Sequence, residues 1–391
     1  MPFRLPADLI ELRNAARQYA RSRLAPIAME TEASGAQFPR DLLKDMASAG
    51  MMGLDIPKEY GGRGLTVLAT AVAIEELAAG WFSATSYSAA MSAGPILEAG
   101  TEQQKQEYLP GVARGDLIVS VALTEPNVGS DAAALETVAT PADGGYVLSG
   151  TKIFISNANV SDALLVFAQV ISSETGKPAA TMFIVPKGTP GMEIGRRIKA
   201  LGHGANPIFE IHFKDCYVPS ANVIGPVGRA FECMRIGFAK TRTYYGARCV
   251  GVAQAALDYA AAYAQGRNQF GQPLSSHQGI RFKLANMQSS IEACRCLTYR
   301  AATLVDERSD DAPVAVAMAK LQGADMTMNV VSEAIQIMGG QGYSCDHPLE
   351  RYYREAKLFQ IGDGTSEILR LIVSSDGNRR ARRNERVAIA D

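Results

Sequence analysis

The spacing of apolar residues divides the chain into three regions of different texture. From residue 6 to about 117, apolar positions recur at helical spacing, as at Leu9, Leu12, Ala16 and Tyr19 in the first segment. The stretch 65–79 predicts a packed helix with two glutamates, Glu75 and Glu76, on its flank. Pro39 and Pro110 each favour the start of a further helix. The first region is therefore predicted to be helical.

The pattern of apolar and polar residues changes near Leu117. Short apolar runs, many of them β-branched, alternate with clusters of Gly, Pro, Asn and Asp, which is typical of an antiparallel sandwich or barrel. The runs are 118–123, 146–156, 163–171, 180–185 and 208–213. The middle region is therefore predicted to be β.

Helical periodicity returns after Pro226, and Asp311 and Thr365 are positioned to cap two of the helices. The predicted helices lie near 228–265, 277–307, 312–338 and 364–375. The predicted fold is α+β, with an N-terminal helical domain (1–117), a central antiparallel β domain (118–225) and a C-terminal helical bundle with a basic tail (226–391). Three domains suit 391 residues, because single cores stop growing at about 250–300 residues.

Composition narrows the function classes. The chain has 47% hydrophobic and 20% charged residues and a formal charge of −1. This balance lacks the basic field of nucleic-acid binders, so no nucleic-acid partner is expected. No apolar run approaches the roughly 20 residues that span a bilayer, so no membrane insertion is expected.

Cysteine and histidine usage predicts a reduced, metal-free protein. The six cysteines are scattered without a CxxC pair, and the four histidines stand apart from one another. The arginine-rich first segment contains the acidic residues Asp8 and Glu11, and its apolar residues recur at helical spacing, which favours an ordinary helix over a transit peptide. The expected localisation is cytoplasmic.

Several common catalytic motifs are missing. The run Gly339–Gly342 follows a helix rather than a strand, so it does not fit a dinucleotide-binding turn. The sequence contains neither a GxxxxGK[ST] phosphate loop nor a GxSxG nucleophile elbow. Any redox chemistry must therefore come from a bound cofactor.

Four stretches could carry that chemistry, and each also has a structural explanation. Residues 124–131 (TEPNVGSD) suit an anionic or carbonyl-rich ligand or are simply a loop. Phe154 and Ser156 project from the same face of a strand and could flank a flat ring, although Phe154 could equally be core. Arg242 and Arg267 either bind a ligand or form ion pairs on the surface. Asp363, which lies between two glycines, is either a functional carboxylate or a helix cap.

Taken together and in order, these stretches resemble the acyl-CoA dehydrogenase family of flavoenzymes over nearly the whole chain. The resemblance rests on TEPxxGSD at 124–131, Phe-Ile-Ser at 154–156, KTR at 240–242, RxxFG at 267–271, QxxGGxGY at 336–343, RxAK at 354–357 and IxxGTSEI at 361–368. It implies the family fold, with a helical, a β and a four-helix-bundle domain. It also implies FAD as cofactor and α,β-dehydrogenation of an acyl-CoA thioester.

The resemblance assigns roles to individual residues. FAD in this family lies between the β domain and the C-terminal bundle, and some contacts come from a neighbouring subunit, so a homotetramer (a dimer of dimers) is expected. An electron-transferring flavoprotein is the expected electron acceptor. Ser130, Arg242 and Gly362 are expected to contact the substrate. The expected cofactor contacts are Thr124, Ser130, Phe154, Ser156, Arg267, Phe270, Gln336, Gly340, Thr365 and Glu367.

The base that removes the C2 proton is expected to be Asp363. The family usually has Glu here, and the shorter side chain withdraws the carboxylate by about 1.5 Å. Gly362 stands where straight-chain enzymes often carry Tyr. A withdrawn base beside a missing side chain favours a short, branched or alicyclic acyl group.

Alternative functions remain open. Nitroalkane oxidases of the same superfamily also use Asp as base, although Arg242 in its KTR context favours a thioester ligand. A biosynthetic dehydrogenase of a carrier-protein-bound acyl group and a non-catalytic FAD-binding relative are further alternatives. The basic run at 379–383 is expected to be a solvated tail.

Overall fold

A computed structural model describes residues 4–89, 92–171 and 176–382, with side chains through residue 376. Within these residues the chain forms two compact units, which combine distant segments. The first unit takes 4–26, 67–82 and 239–382, and the second takes Ile27–Thr66 and Ser83–Phe238. The three-domain boundaries read from the sequence stay a prediction, because these units cut across them.

The helices follow the predicted periodicity closely. A π-helical segment, Ala20–Leu24, joins the first two. The helices are α1 (Ala7–Tyr19), α2 (Ala25–Ser34), α3 (Arg40–Ser48), α4 (Val67–Gly80), α5 (Thr85–Ser88), α6 (Gly94–Ala99), α7 (Glu102–Ala113), α8 (Ala230–Cys233), α9 (Arg235–Gly266), α10 (Gln278–Asp306), α11 (Ala312–Met338), α12 (Gly340–Tyr343), α13 (Leu349–Phe359) and α14 (Ser366–Arg382). Within the described range, no helix is long and apolar enough to cross a membrane.

The strands include all five predicted runs and several short ones that the pattern missed. They are β1 (Val119–Ala122), β2 (Val138–Ala142), β3 (Gly145–Ser156), β4 (Ala163–Ile171), β5 (Pro178–Pro186), β6 (Met192–Ile198), β7 (Ile208–Pro219), β8 (Val223–Ile224), β9 (Asn268–Gln269) and β10 (Gln272–Pro273). The missed strands β2 and β6 are mostly exposed, so they lack the apolar run that marks a buried strand.

Two local predictions are wrong. Pro110 lies inside α7 rather than at its start, because Thr101 and Gln104 form a capping box that begins the helix earlier. Asp311 makes no side-chain cap, because it has helical dihedral angles and Pro313 removes one of the N–H groups that a cap would bind. Thr365 does cap α14, since its Oγ1 accepts a hydrogen bond from the Ile368 N–H at 3.3 Å.

The second unit is built on one eight-stranded sheet with strand order β6-β7-β3-β2-β4-β5-β8, and β1 pairs with β4. Most pairs are antiparallel, as predicted, but β1 and β2 each pair with β4 in parallel. The central strand β4 is buried almost throughout. This sheet carries the 124–131 loop after β1 and the 154–156 run at the end of β3.

The first unit packs α9, α10, α11 and α13 around an apolar core that includes Val250, Ile291, Val331 and Phe359. The predicted flank position of Glu75 and Glu76 is wrong, because both are buried at 5% and 7% exposure. Glu75 pairs with Arg295 and accepts from the Tyr299 hydroxyl, and Glu76 pairs with Arg17. The charges are buried because each has a hydrogen-bonded partner.

Helix α9 approaches α4 so closely that only glycine fits at one position. A Cβ at Gly251 would lie 2.1 Å from the Glu75 carbonyl oxygen, which is backbone and cannot move aside cheaply. We expect Gly251→Ala to destabilise the first unit by roughly 1–3 kcal/mol. Gly279→Ala in α10 is the matched control, because its Cβ meets nothing within 4 Å. It should gain up to about 1 kcal/mol from helix propensity.

Denaturant unfolding followed by the single tryptophan, Trp81, measures both variants in this unit. Equal stability of the two variants would contradict the expectation.

Candidate active site

The turn between α13 and α14 presents Asp363 in an uncommon backbone conformation. Asp363 has φ +55° and Gly364 has φ +93°, both in the left-handed region. Asp tolerates that region better than most residues, and Gly adopts it freely. The turn is closed by the Ser366 N–H, which donates to the Gln360 carbonyl at 3.0 Å. Such strain is retained where the surroundings fix it, often at functional sites.

Two cationic side chains hold this turn by its backbone. The Lys320 Nζ donates to the Gly364 carbonyl at 2.6 Å, and the Arg242 Nε donates to the Asp363 carbonyl at 3.2 Å. Lys320 is fully buried on α11, and Arg242 is half-buried on α9. We call Lys320 and Arg242 the turn clamp. The turn is therefore fixed from two helices, independently of its own side chains.

The carboxyl group of Asp363 lies in a desolvated, positively charged surrounding. Its Oδ2 is buried and has no hydrogen-bond partner among the described residues. Burial raises the pKa of Asp363 above its usual 3.8, while Arg242, a hydrogen bond from Thr241, Lys320 and Arg248 oppose the rise. A carboxylate in such a site is poised to take a proton. The capping role that the sequence left open is filled by Thr365 instead.

An aromatic group lies next to this turn on the same unit. A Cβ at Gly362 would lie 3.2 Å from the Tyr245 hydroxyl oxygen, so Tyr245 takes up part of the room expected there. The Tyr245 ring contacts Phe359 edge-on at 6.2 Å, and the Arg248 guanidinium lies 5.0 Å from its centroid. Arg248 is buried, and it also lies over Phe82 at 5.3 Å.

In the second unit, a buried ion pair fixes the 124–131 loop. Lys152 on β3 donates to Glu125 at 2.6 Å, and both side chains are almost completely buried. Lys152 also donates to the Leu123 carbonyl at 3.1 Å, and Glu125 accepts from the backbone N–H of Thr137 at 3.0 Å. Burial lowers the pKa of Lys152 to about 8. Burial would raise the pKa of Glu125, but hydrogen bonds from Lys152 and from residues 136–137 outweigh it and lower it.

The end of β3 presents Phe154 and Ser156 on an exposed face, with Ile155 buried between them. Phe154 is not core, because it is 55% exposed, and its shared face with Ser156 stays a prediction. A bulge against β7 spans Lys152 to Ile155, and Phe154 has φ +61°. A bulky residue in that region is a strained outlier that can re-aim a strand end. The Ile153 N–H donates to the Thr124 carbonyl at 2.9 Å, which brings Thr124 beside this bulge.

The other predicted site residues lie at exposed positions. Ser130 follows Thr124 in its loop, and Glu367 pairs with Arg370 on the surface of α14. Phe270 is 95% exposed at a tight turn with φ +53°, and Arg267 precedes it. Gln336 lies in the last turn of α11, and Gly340 begins α12. Their cofactor contacts stay predictions. The basic run at 379–383 lies outside the residues whose side chains are described.

Sequence reasoning missed three side chains of the first unit that surround Asp363. Lys320 lies within an apolar stretch of α11, whereas Tyr245 and Arg248 lie in a polar stretch of α9. A signal existed for Lys320, because a single cation inside an apolar helical run is either exposed or held for a reason. The pattern alone cannot distinguish these two cases.

Family models match the chain in three consecutive blocks. The acyl-CoA dehydrogenase N-terminal domain matches residues 6–116, the middle domain 120–216 and the C-terminal domain 229–376. An acyl-CoA dehydrogenase of Bacillus subtilis is 39% identical over 94% of this chain and 97% of its own. The short-chain specific mitochondrial acyl-CoA dehydrogenase of Sus scrofa is 38% identical over 95% of this chain and 90% of its own.

Solved structures agree with these matches. The butyryl-CoA dehydrogenase of Megasphaera elsdenii has a TM-score of 0.91 and 35% identity, covering 97% of this chain and all of its own. A structure from a study of the electron transferring flavoprotein of Acidaminococcus fermentans has a TM-score of 0.91 and 37% identity over the same shares. The prolyl acyl carrier protein oxidase AnaB has a TM-score of 0.89 and 30% identity over 95% of this chain and 99% of its own.

The buried pair in the second unit gives a stability prediction. We expect Lys152→Met to destabilise the loop by roughly 3–5 kcal/mol, because it leaves Glu125 buried without its cation. Lys187→Met is the control, since Lys187 is exposed. Hydrogen exchange of residues 124–137, read by mass spectrometry, measures the local effect. Unchanged protection in Lys152→Met would contradict it.

The raised pKa of Asp363 gives a second prediction, with a definite sign. A carboxyl with a raised folded-state pKa holds its proton more tightly when folded, so folding loses stability as pH rises above its usual 3.8 through the raised value. Asp363→Asn removes this penalty and suits the left-handed turn equally well. We expect the variant to melt at a higher temperature than the parent at pH 7, and the difference to shrink below pH 3.8.

Thermal melts of both proteins across this pH range measure the effect. A variant that melts below the parent at pH 7, or a melting-temperature difference that does not change with pH, would contradict the interpretation that the Asp363 carboxylate is desolvated.

Proposed function

Because the chain belongs to the acyl-CoA dehydrogenase family, whose members are FAD-dependent oxidoreductases, we propose that it desaturates a short acyl thioester between C2 and C3, with Asp363 as the base. The observation that carries the proposal is the desolvated Asp363 carboxylate in its clamped left-handed turn. The acyl group is expected to be branched or alicyclic at C2.

Asp363 performs the proton step. Its carboxylate takes the C2 proton, and desolvation makes it a stronger base than an exposed carboxylate. The backbone N–H of Asp363 would donate to the thioester carbonyl and stabilise the charge that develops there. One such donor is typically worth about 3–4 kcal/mol. The turn clamp fixes both groups, because it binds the carbonyls of residues 363 and 364.

The described residues fit FAD. Phe154 offers an exposed ring and Ser156 a hydroxyl on the same face, and the buried Lys152–Glu125 pair fixes the loop of Thr124 beside them. These side chains, with Ser130, would hold the isoalloxazine. The family resemblance assigns the remaining cofactor contacts to Arg267, Phe270, Gln336, Gly340, Thr365 and Glu367. FAD, when bound, supplies the acceptor for the hydride that leaves C3.

The short side chain of Asp363 is compatible with this role if the substrate comes closer to the turn. The missing side chain at Gly362 supports that approach, and the room it leaves ends at the Tyr245 hydroxyl oxygen, 3.2 Å from where a Cβ would lie. Arg242 uses its Nε for the clamp, and the family resemblance implies that the same residue contacts the CoA side of the substrate. Electron transfer to an electron-transferring flavoprotein and assembly as a homotetramer complete the proposal.

A second candidate is a dehydrogenase of an acyl group bound to a carrier protein, favoured by the similarity to AnaB over nearly the whole chain. A nitroalkane oxidase is a third candidate. It is favoured by the Asp base, whereas Arg242 in its KTR context favours a thioester.

Anaerobic bleaching of the bound flavin tests the proposal. We expect cyclohexanecarboxyl-CoA or isobutyryl-CoA to bleach the visible flavin band faster than butyryl-CoA does. Asp363→Asn should slow bleaching by roughly 10²- to 10⁴-fold, as loss of a general base does. Glu232→Gln, in an exposed ion pair of the second unit, should leave the rate unchanged.

The other outcomes separate the candidates. A clear preference for butyryl-CoA would contradict the branched or alicyclic group, but not the reaction. Bleaching only by a carrier-protein-bound acyl group would favour the second candidate. Oxygen consumption with nitroethane, without bleaching by any thioester, would favour the third.

A further inference from the structure

Residue 362 and Tyr245 compete for the same space beside the base. The nearest atom to a Cβ built at Gly362 is the Tyr245 hydroxyl oxygen, at 3.2 Å, which is closer than ordinary van der Waals contact. The next atoms belong to Leu358, at 3.5 Å. A larger side chain at 362 would therefore displace Tyr245. The glycine is what allows a tyrosine to reach this turn from α9.

Tyr245 is held in place on several sides. The Arg248 guanidinium lies 5.0 Å and the Lys320 Nζ 5.9 Å from the ring centroid, both within cation–π range. Phe359 contacts the ring edge-on. Arg248 is itself buried against Phe82. A ring fixed by two buried cations and a second ring cannot swing away to make room for a ligand.

Tyr245 also borders the surface from which Asp363 is reached. It lies four residues after Thr241 on α9, so both side chains share one helix face, and Thr241 hydrogen-bonds to the Asp363 carboxyl group. Tyr245, Thr241, Gly362 and Asp363 are all partly exposed, whereas their neighbours Thr243, Tyr244 and Ala247 are buried. A ligand whose reacting carbon reaches Asp363 along these partly exposed residues would lie beside Tyr245.

We propose that Tyr245 is a specificity-determining residue, whose fixed ring fills the space that Gly362 leaves and restricts the acyl group to short, compact chains. The proposal rests on the proposed function, because it assumes a thioester bound at Asp363. It refines the earlier expectation of open room beside Gly362, since that room ends at the tyrosine hydroxyl. Branching close to C2 is accommodated, and a chain extending past the ring is not.

Chain-length profiles of the FAD-loaded enzyme test this. We compare butyryl-, hexanoyl- and octanoyl-CoA for the parent, Tyr245→Val and Tyr245→Phe. One methylene too many in a pocket costs roughly 10- to 200-fold in kcat/KM. We expect kcat/KM of the parent to fall steeply with length. Tyr245→Val should raise the octanoyl-to-butyryl ratio at least about tenfold, whereas Tyr245→Phe, which keeps the ring, should preserve the parent ratio within about threefold.

Binding provides a readout that does not depend on turnover. In the Asp363→Asn background, calorimetry measures the dissociation constants of butyryl- and octanoyl-CoA with and without Tyr245→Val. Tyr245→Val should raise the affinity for octanoyl-CoA at least about tenfold, as it does the kcat/KM ratio, while the affinity for butyryl-CoA stays nearly constant. If Tyr245→Val loses its FAD, Tyr245→Leu takes its place in both measurements.

A double-mutant cycle tests the contact itself. Gly362→Ala should lower kcat/KM for butyryl-CoA more in the parent than in Tyr245→Phe, because Phe lacks the hydroxyl that the new methyl group meets. Equal losses of kcat/KM in the parent and in Tyr245→Phe would contradict a direct contact between residue 362 and the Tyr245 hydroxyl. Unchanged chain-length ratios in Tyr245→Val, with butyryl-CoA still oxidised, would overturn the specificity role alone. Failure of every thioester to bleach the parent flavin would instead refute the proposed function.

Discussion

The hydrogen bond from the buried Lys320 to the Gly364 carbonyl is the constraint on which the candidate site depends. A lysine ammonium is costly to bury, and here it is tolerated because it binds a backbone oxygen and lies near the Asp363 carboxylate. The bond fixes the backbone rather than the side chain of the turn. The carboxylate can therefore remain without a full set of partners, which a base requires. A direct ion pair would have stabilised the carboxylate but lowered its basicity.

The second unit also contains a buried lysine that binds the backbone. Lys152 is also fully buried and also donates to a backbone carbonyl, that of Leu123. Each lysine lies beside a non-glycine residue in the left-handed region, Phe154 in one unit and Asp363 in the other. The difference lies in the counter-charge. Glu125 pairs directly with Lys152, whereas the Asp363 Oδ2 has no hydrogen-bond partner among the described residues.

Periodicity predicted the long helices and the buried strands because burial imposes a repeat on the sequence. It missed β2 and β6, which are largely exposed and so carry no such repeat. The motifs located Asp363, Phe154 and Ser156, since loops between glycines and strand ends have local signatures. They did not locate Lys320 or Tyr245, because their roles depend on a turn more than 40 residues away in the one case and more than 110 in the other. The left-handed angle of Phe154 had no sequence signal either, since the bulge that produces it depends on register with β7.

The pairing of Gly362 with Tyr245 bears on how a site of this kind can change its substrate. Space beside Asp363 can be filled from the turn itself or from α9, and the 3.2 Å approach means that a side chain at residue 362 requires the Tyr245 hydroxyl to shift. Filling from α9 places the bulk on the Tyr245 ring, which contacts Arg248 and Lys320, and Lys320 also binds the turn of Asp363. The Tyr245 ring and the Asp363 turn therefore share one support. A substitution of Lys320 would loosen the Tyr245 ring and also move the Asp363 carboxylate. A substitution of Tyr245 would alter the ring and leave the turn clamp in place. If Tyr245 has the proposed specificity role, substrate range is easier to alter at position 245 than at any group that also holds the turn.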